Sequence, residues 1–215
     1  MQGIASAGYT RREMRLTKIP HGRLPQILSR FSEGLEGNET AASAFASIAE
    51  TAERIDAPAD TLEHRSAAVG LAKELGMNTI DEAPQQAFSW NGCAVRTRSE
   101  ASVLIHEVAH WLIVPPERRD LLDFGLGAGP ETGRIQEADA ARCVDDATKE
   151  WEELLASLLG ILLEAKLCQP AIHAFIEQNW LEGWERPAAA EQFASTIKEL
   201  RARRLISEIG VPILP

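Results

Sequence analysis

The sequence predicts a single α+β domain that is mostly helical and has a small β-hairpin or sheet ahead of its central helix. Apolar residues recur at helical spacing along most of the chain. The segment AFSWNGCAV (87–95) is instead strand-like, and Asn91-Gly92 between apolar flanks is a strong signal for a hairpin turn. The central helix contains LIHEVAHW (104–111) and is apolar nearly all round, so we expect it to be buried.

The length of 215 residues suits one domain, because such a chain buries a full core without disulfide or metal staples. Its 45% hydrophobic and 25% charged residues are typical of a soluble globular protein. Within the domain 1–215 we expect N-terminal helices over 1–85. The hairpin, the central helix, a loop and an acidic helix follow over 86–167, and C-terminal helices occupy 168–215.

Three helices are expected before the hairpin. The first covers 23–36, the alanine-rich second covers 39–55, and the third runs from about 59 to 75 and ends at Gly76. The apolar stripe of the first helix consists of Leu24, Ile27, Leu28, Phe31 and Leu35.

The central helix is predicted to begin with a capping box, because Thr97 is followed three residues later by Glu100. A long loop punctuated by proline and glycine follows over 114–133, and loops of this length are often functional. The remaining helices are predicted at 136–167, 170–181 and 187–207.

Charge and cysteine content exclude several classes of protein. The net charge of -10 argues against a nucleic-acid surface, and no segment has the run of ~18 apolar residues that a membrane span needs. The N-terminus shows no export signal. Cys93, Cys143 and Cys168 include no CxxC pair, which excludes a cysteine-rich zinc module and indicates reduced thiols in a cytoplasmic protein.

The central helix carries the motif His106-Glu107-x-x-His110. Residues four apart differ by ~40° around a helix axis, so both imidazoles can converge on one ion, with Glu107 placed to reach a water bound to it. A chance match would be two polar residues on a solvated surface. The apolar helix and the strand-like segment before it, as in zincin-type folds, favour one divalent transition metal, zinc or iron.

A third protein ligand is needed, because a catalytic zinc or iron usually takes three and keeps a position open. The extended motif HExxHxxGxxH is excluded by Ile113 and Pro116. A carboxylate from the later segment KEWEELLASLLG (149–160) is the remaining option.

Glu153 is the preferred third ligand in that segment. Small residues on its side of the helix would allow a close approach to the histidine helix, namely Ala156, Ser157 and Gly160. Glu152 is the next choice, and Asp123 and Asp145 are alternatives. An acidic first turn favoured by the helix dipole explains most of these carboxylates equally well.

Four further residues are candidates for substrate binding or for support of the ligands: Trp111, Arg118, Arg119 and Asp123. The two arginines fit a solvated surface, since Arg is mostly exposed. Alternatively they hold a carboxylate of the substrate or of Asp123, for which a guanidinium fork is well shaped.

The run HEVAHWLIVPPERRDLLDFG (106–125) resembles the elongation factor P hydroxylase family. The shared features are HExxH followed by Trp111, the Arg118-Arg119 pair and Asp123-Phe124-Gly125, over about 50 residues. The resemblance implies a zincin-like fold, Glu153 as metal ligand and iron-dependent hydroxylation of a modified lysine on a translation factor. The chain departs from the family at 126–129, where Leu-Gly-Ala-Gly replaces expected aromatic residues.

Three functions remain open. The first is a non-haem iron hydroxylase acting on a protein side chain, and the second is a zinc metallopeptidase with Glu107 as general base on zinc-bound water. The third is a binding protein with a structural metal, which is disfavoured because such zinc sites usually have four protein ligands. We expect a protein or peptide substrate, and neither nucleic acid nor membrane as partner.

Overall fold

The computed structural model describes residues 19–84, 88–128 and 135–214 and confirms a mostly helical α+β fold. The helices are α1 (Leu24–Glu33), α2 (Glu39–Ala49), α3 (Leu62–Glu74), α4 (Ala101–Ile113), α5 (Ile135–Ala141), α6 (Asp146–Lys166), α7 (Ile172–Glu177) and α8 (Pro187–Ala202). The strands are β1 (Thr79–Ile80) and β2 (Val95–Arg96).

The first three helices lie where the periodicity predicts them. The Asn38 side chain caps α2 by accepting from Ala41 N, and Thr61 caps α3 by accepting from His64 N. The predicted helix over 39–55 ends earlier as an α-helix and continues as a 3₁₀ turn over Glu50–Arg54.

The strand pairing differs from the predicted hairpin. β1 and β2 pair in parallel, with Thr79 opposite Val95 and Ile80 opposite Arg96. Antiparallel pairing is present as an isolated bridge between Trp90 and Val95. The turn is four residues long because the Asn91 side chain accepts hydrogen bonds from the Cys93 and Ala94 amides, which widens the two-residue turn that Asn-Gly predicts.

The predicted capping box at the start of α4 is wrong. The N-cap residue is Glu100, whose side chain makes no capping hydrogen bond, and the Thr97 hydroxyl donates to Ile80 O. The Ala101 N–H at the start of α4 instead donates to Asp60 Oδ1 at 3.0 Å, and Asp60 lies in the loop before α3. A carboxylate distant in sequence therefore satisfies the helix N-terminus in place of the local pattern.

The predicted helix over 136–167 is two helices. α5 ends at Ala141, and Asp145 starts α6 by accepting a hydrogen bond from Thr148 N. Between them, Cys143 N donates to Gly125 O, which ties this break to the loop that follows α4. The later helices are shorter than predicted, since α7 covers Ile172–Glu177 and α8 ends at Ala202.

The core is built around α4 and α6, which pack directly against each other. Gly160 of α6 faces α4 so closely that an added Cβ would lie 3.5 Å from His106 Cα. The core also contains a cluster of aromatic rings, Phe31, Phe45, Phe175, Trp180 and Phe193. Within the described ranges, every helix falls short of the length and apolarity that crossing a bilayer would demand.

Candidate metal centre

Three metal-ligating side chains meet where α4 packs on α6. The Nε2 atoms of His106 and His110 are 3.0 Å apart. Glu153 Oε2 lies 3.4 Å from His106 Nε2 and 3.5 Å from His110 Nε2. The three residues that the sequence selects as ligands therefore present their donor atoms to one point.

The spacing of these atoms fits a bound transition metal. Two donors that each lie ~2.0–2.2 Å from a shared ion, at angles of about 90–110°, are about 3.0–3.5 Å apart. All three atoms are Lewis bases, so a cation or a proton between them is needed to make their proximity favourable. Imidazole and carboxylate donors suit both zinc and iron.

The site is open on one side only. His110 is buried, whereas the side chains of His106 and Glu153 are 26% and 40% exposed. Three ligands would leave coordination positions of a bound ion free, on the side of His106 and Glu153.

Small residues on α6 allow the helices to come this close. Ala156 is fully buried, and Gly160 lets the His106 backbone approach, as its position on the Glu153 side of the helix predicts. Ser157 has a different role, since its Oγ accepts a hydrogen bond from Trp180 Nε1 at 2.7 Å and so anchors α6 to the segment after α7.

The three ligand groups perturb one another's proton affinity. Burial lowers the pKa of His106. Burial also opposes a charge on His110, but its pKa is raised because Glu153 and other carboxylates favour the imidazolium. For Glu153, burial alone would raise the pKa, yet hydrogen bonds from His106 and His110 hold it well below its usual range. These hydrogen bonds therefore favour the ionised form of the Glu153 carboxyl group.

Two further carboxyl groups border the site. Burial, with the Asp123 charge, raises the pKa of Glu107 to about 8, and Glu107 Oε2 finds no hydrogen-bond partner in the described part of the chain. Burial also raises the pKa of Asp123 to about 6, against the opposing effect of His110. Asp123 therefore lies beside the site, as the sequence suggests, although it is not one of the three converging residues.

Asp123 belongs to a strained turn. Asp123 and Phe124 have φ values of 48° and 54°, followed by Gly125 at 72°, so three successive residues are left-handed. Left-handed backbone costs on the order of 1–3 kcal/mol at a non-glycine residue and concentrates at functional sites. The turn places the buried Phe124 ring against His110, with centroids 5.6 Å apart, and stacks it on Trp90 at 5.4 Å. The Phe124 ring thereby covers one face of the His110 ring and restricts the orientation of that imidazole.

The two neighbouring arginines have different environments. Arg118 Nη2 donates to both carboxylate oxygens of Glu152 in a buried ion pair. Arg118 is therefore buried, and it binds Glu152 instead of Asp123. Glu152, the second-choice ligand, is ion-paired with Arg118 and does not join the three converging residues.

Arg119 lies with its guanidinium carbon 4.4 Å over the centroid of the Trp111 ring. Trp111 Nε1 donates to Leu75 O, and Trp90 Nε1 donates to Arg119 O. Trp111 directly follows His110 on α4. The cation–π contact holds the Arg119 guanidinium against the Trp111 ring. Neither residue is among the three that converge.

Two residues at this site have roles that were not predicted from the sequence. Phe124, stacked on Trp90, forms the aromatic wall of the site, and Glu152, named above only as an alternative ligand, anchors α6 through Arg118. The position of Trp90 next to the predicted site was the one signal of this wall in the sequence, because contacts between residues far apart in sequence leave no periodic pattern.

Comparison with protein-family models, curated proteins and solved structures gave no match.

Proposed function

We propose that this chain is a non-haem iron enzyme that hydroxylates a side chain of a protein substrate. The observation that carries the proposal is the convergence of two imidazole nitrogens and one carboxylate oxygen within 3.0–3.5 Å of one another. Two histidines and one carboxylate with open positions form the ligand set of iron oxygenases, in which the bound iron supplies the chemistry of oxygen activation.

The residues around the ligands have distinct tasks in this proposal. His106, His110 and Glu153 hold the ion, and the Phe124 ring keeps His110 in its orientation. Glu107 is buried beside them with one free oxygen, so it is the group placed to take up or release a proton. Trp90 and Phe124 keep water from the closed side, and the substrate enters past His106 and Glu153.

The strand content favours hydroxylation over peptide cleavage. Peptidases commonly pair an extended substrate with an edge strand. In the part of the chain that the structure describes, β1 and β2 are two residues long and offer little edge for such pairing. The resemblance to elongation factor P hydroxylases supports the same choice and makes a translation factor in the cytoplasm the proposed substrate, consistent with the free thiols of Cys93, Cys143 and Cys168.

A zinc metallopeptidase is the second candidate. The observation in its favour is the position of Glu107, which follows His106 directly and lies buried beside the ligands, where a general base would act on water. A structural metal is less well supported, because three ligands converge where four usually close a structural zinc site.

The test compares the two metals with and without oxygen. Protein loaded with iron or with zinc is mixed with elongation factor P carrying its modified lysine and an excess of ascorbate, under air and under nitrogen, and the intact mass is recorded. Ascorbate supplies the two electrons that reduce the second atom of O2 to water when the first enters the side chain. We expect addition of one oxygen atom with iron under air alone. Cleavage of peptides by the zinc form under nitrogen, lost in Glu107→Gln, would show the peptidase instead.

A further inference from the structure

We propose that Arg118 is a positioning residue that selects which carboxylate of α6 becomes the metal ligand. It binds Glu152, keeps that carboxylate away from the ion, and so orients α6 with Glu153 toward the histidines. This inference rests on the metal function proposed above.

The contact is buried and spans a long stretch of chain. Arg118 and Glu152 are each 10% exposed at the side chain, and one guanidinium nitrogen donates to both carboxylate oxygens. Arg118 ends the 3₁₀ turn Pro116–Arg118, which follows α4 after a two-residue step. The ion pair therefore joins the end of the histidine helix to the helix that carries Glu153.

Stability alone is a weak explanation for this ion pair. The desolvation of two buried charges often cancels their attraction, and apolar residues of similar volume are frequently as good or better. Arg118 Nη1 is also buried without a hydrogen-bond partner among the described residues, which adds to the cost. A role in setting geometry is the alternative, because a hydrogen-bonded charge pair holds its two partners in one arrangement.

Helix geometry supplies that specificity. Successive residues differ by about 100° around a helix axis, so Glu152 and Glu153 cannot both face α4 in the same way. Fixing Glu152 on Arg118 fixes the rotation of α6 at this turn and leaves Glu153 Oε2 within 3.5 Å of both imidazoles. It also neutralises the charge that would compete for a cation.

Arg142 provides a matched control. Like Arg118 it binds a carboxylate of α6, since its Nη2 donates to Asp146 Oδ1 at 2.6 Å. That carboxylate is 84% exposed at the side chain and lies two helical turns before Glu153. Loss of this pair removes an arginine–α6 contact without touching Glu152.

The experiment measures zinc affinity by chelator competition, together with thermal unfolding, in four proteins. These are the wild type, Arg118→Met, the double variant Arg118→Met with Glu152→Met, and Arg142→Met. We expect Arg118→Met to lower zinc affinity by about 10-fold, the lower end of the loss that follows removal of groups that orient metal ligands, because Arg118 acts on Glu153 only through Glu152 and α6. Arg142→Met should bind zinc like the wild type.

The double variant decides between positioning and stability. Two apolar side chains should restore the melting temperature, since no buried charge is left unpaired. Zinc affinity should nevertheless stay below that of the wild type, because the ion pair that orients the turn of α6 bearing Glu152 and Glu153 is then absent. Recovery of affinity together with melting temperature would overturn the positioning role, even if Arg118→Met alone fails to fold. A wild-type protein that binds no zinc would overturn the proposed metal function and this inference with it.

Discussion

His106 and His110 turn their Nε2 atoms toward each other at 3.0 Å across one turn of α4. Two basic nitrogens at this distance are favourable when a cation or a proton lies between them. Glu153 contributes an oxygen 3.4 Å and 3.5 Å from the same two atoms, which adds the negative charge that a divalent ion prefers. The close packing of α4 on α6 maintains this triangle.

Replacing Glu153 by Gln should weaken metal binding by well over tenfold. The substitution preserves size and removes the charge that faces both imidazoles. Glu150→Gln is the control, since Glu150 is exposed on the same helix and belongs to no converging group. Competition with a chromophoric chelator measures both affinities. Equal losses in the two variants would show a general effect of charge rather than ligation.

Gly160 should tolerate alanine but not leucine. A Cβ at this position lies 3.5 Å from His106 Cα, which is an ordinary van der Waals contact. Replacing a glycine inside a helix by alanine should raise the free energy of unfolding by roughly 0.5–1 kcal/mol. A leucine side chain would push α4 and α6 apart, at a cost of roughly 1–3 kcal/mol, and weaken metal binding. Urea unfolding and metal titration of both variants test this. A Gly160→Leu protein with wild-type affinity would show that the close approach is not needed.

Glu164 should make stability fall with rising pH. It is buried on α6, and burial, together with the Glu177 charge, raises its pKa to about 8. Above pH ~4.5 the unfolded chain ionises while the folded protein still holds the proton, so stability declines until pH reaches about 8. The contribution is fully present at lower pH, and the loss amounts to a few kcal/mol, as one pKa unit is about 1.4 kcal/mol.

Glu164→Gln removes this titration. Urea unfolding at pH 5 and pH 8 should show that the free energy of unfolding falls less with rising pH in the variant than in the wild type. Glu177→Gln should reduce the difference only in part, because burial is the larger cause of the shift. An unchanged pH slope in Glu164→Gln would contradict the assignment.

The sequence predicts the parts of the site that depend on helical periodicity. Two histidines four residues apart must share a helix face, and Gly160 on the side of Glu153 indicates where a second helix can approach. The parallel pairing of β1 with β2 was not predictable, because strands of two residues carry no alternation. Arg118–Glu152 joins residues 34 apart, a distance at which sequence spacing carries no information.

The start of α4 illustrates the same limit and can be tested. Asp60→Ala should destabilise the fold by about 1 kcal/mol, the usual loss for a helix cap. The reason is that Ala101 N–H would lose its acceptor and Arg65 would lose its partly exposed ion pair with the same carboxylate, which contributes little more. Asp60→Asn retains an oxygen and should cost less, whereas Glu100→Ala should have little effect because its side chain caps nothing. Thermal unfolding of the three variants ranks them, and a larger effect at Glu100 would restore the capping-box hypothesis.

The most direct test of the metal centre is the metal content of purified protein after titration with one transition metal. The wild type should hold one ion per chain, and His106→Ala should hold none, because two of the three distances that define the site involve His106. His64→Ala, which removes an imidazole from α3, should bind like the wild type. A His106→Ala protein that still binds one equivalent at unchanged affinity would contradict the metal centre.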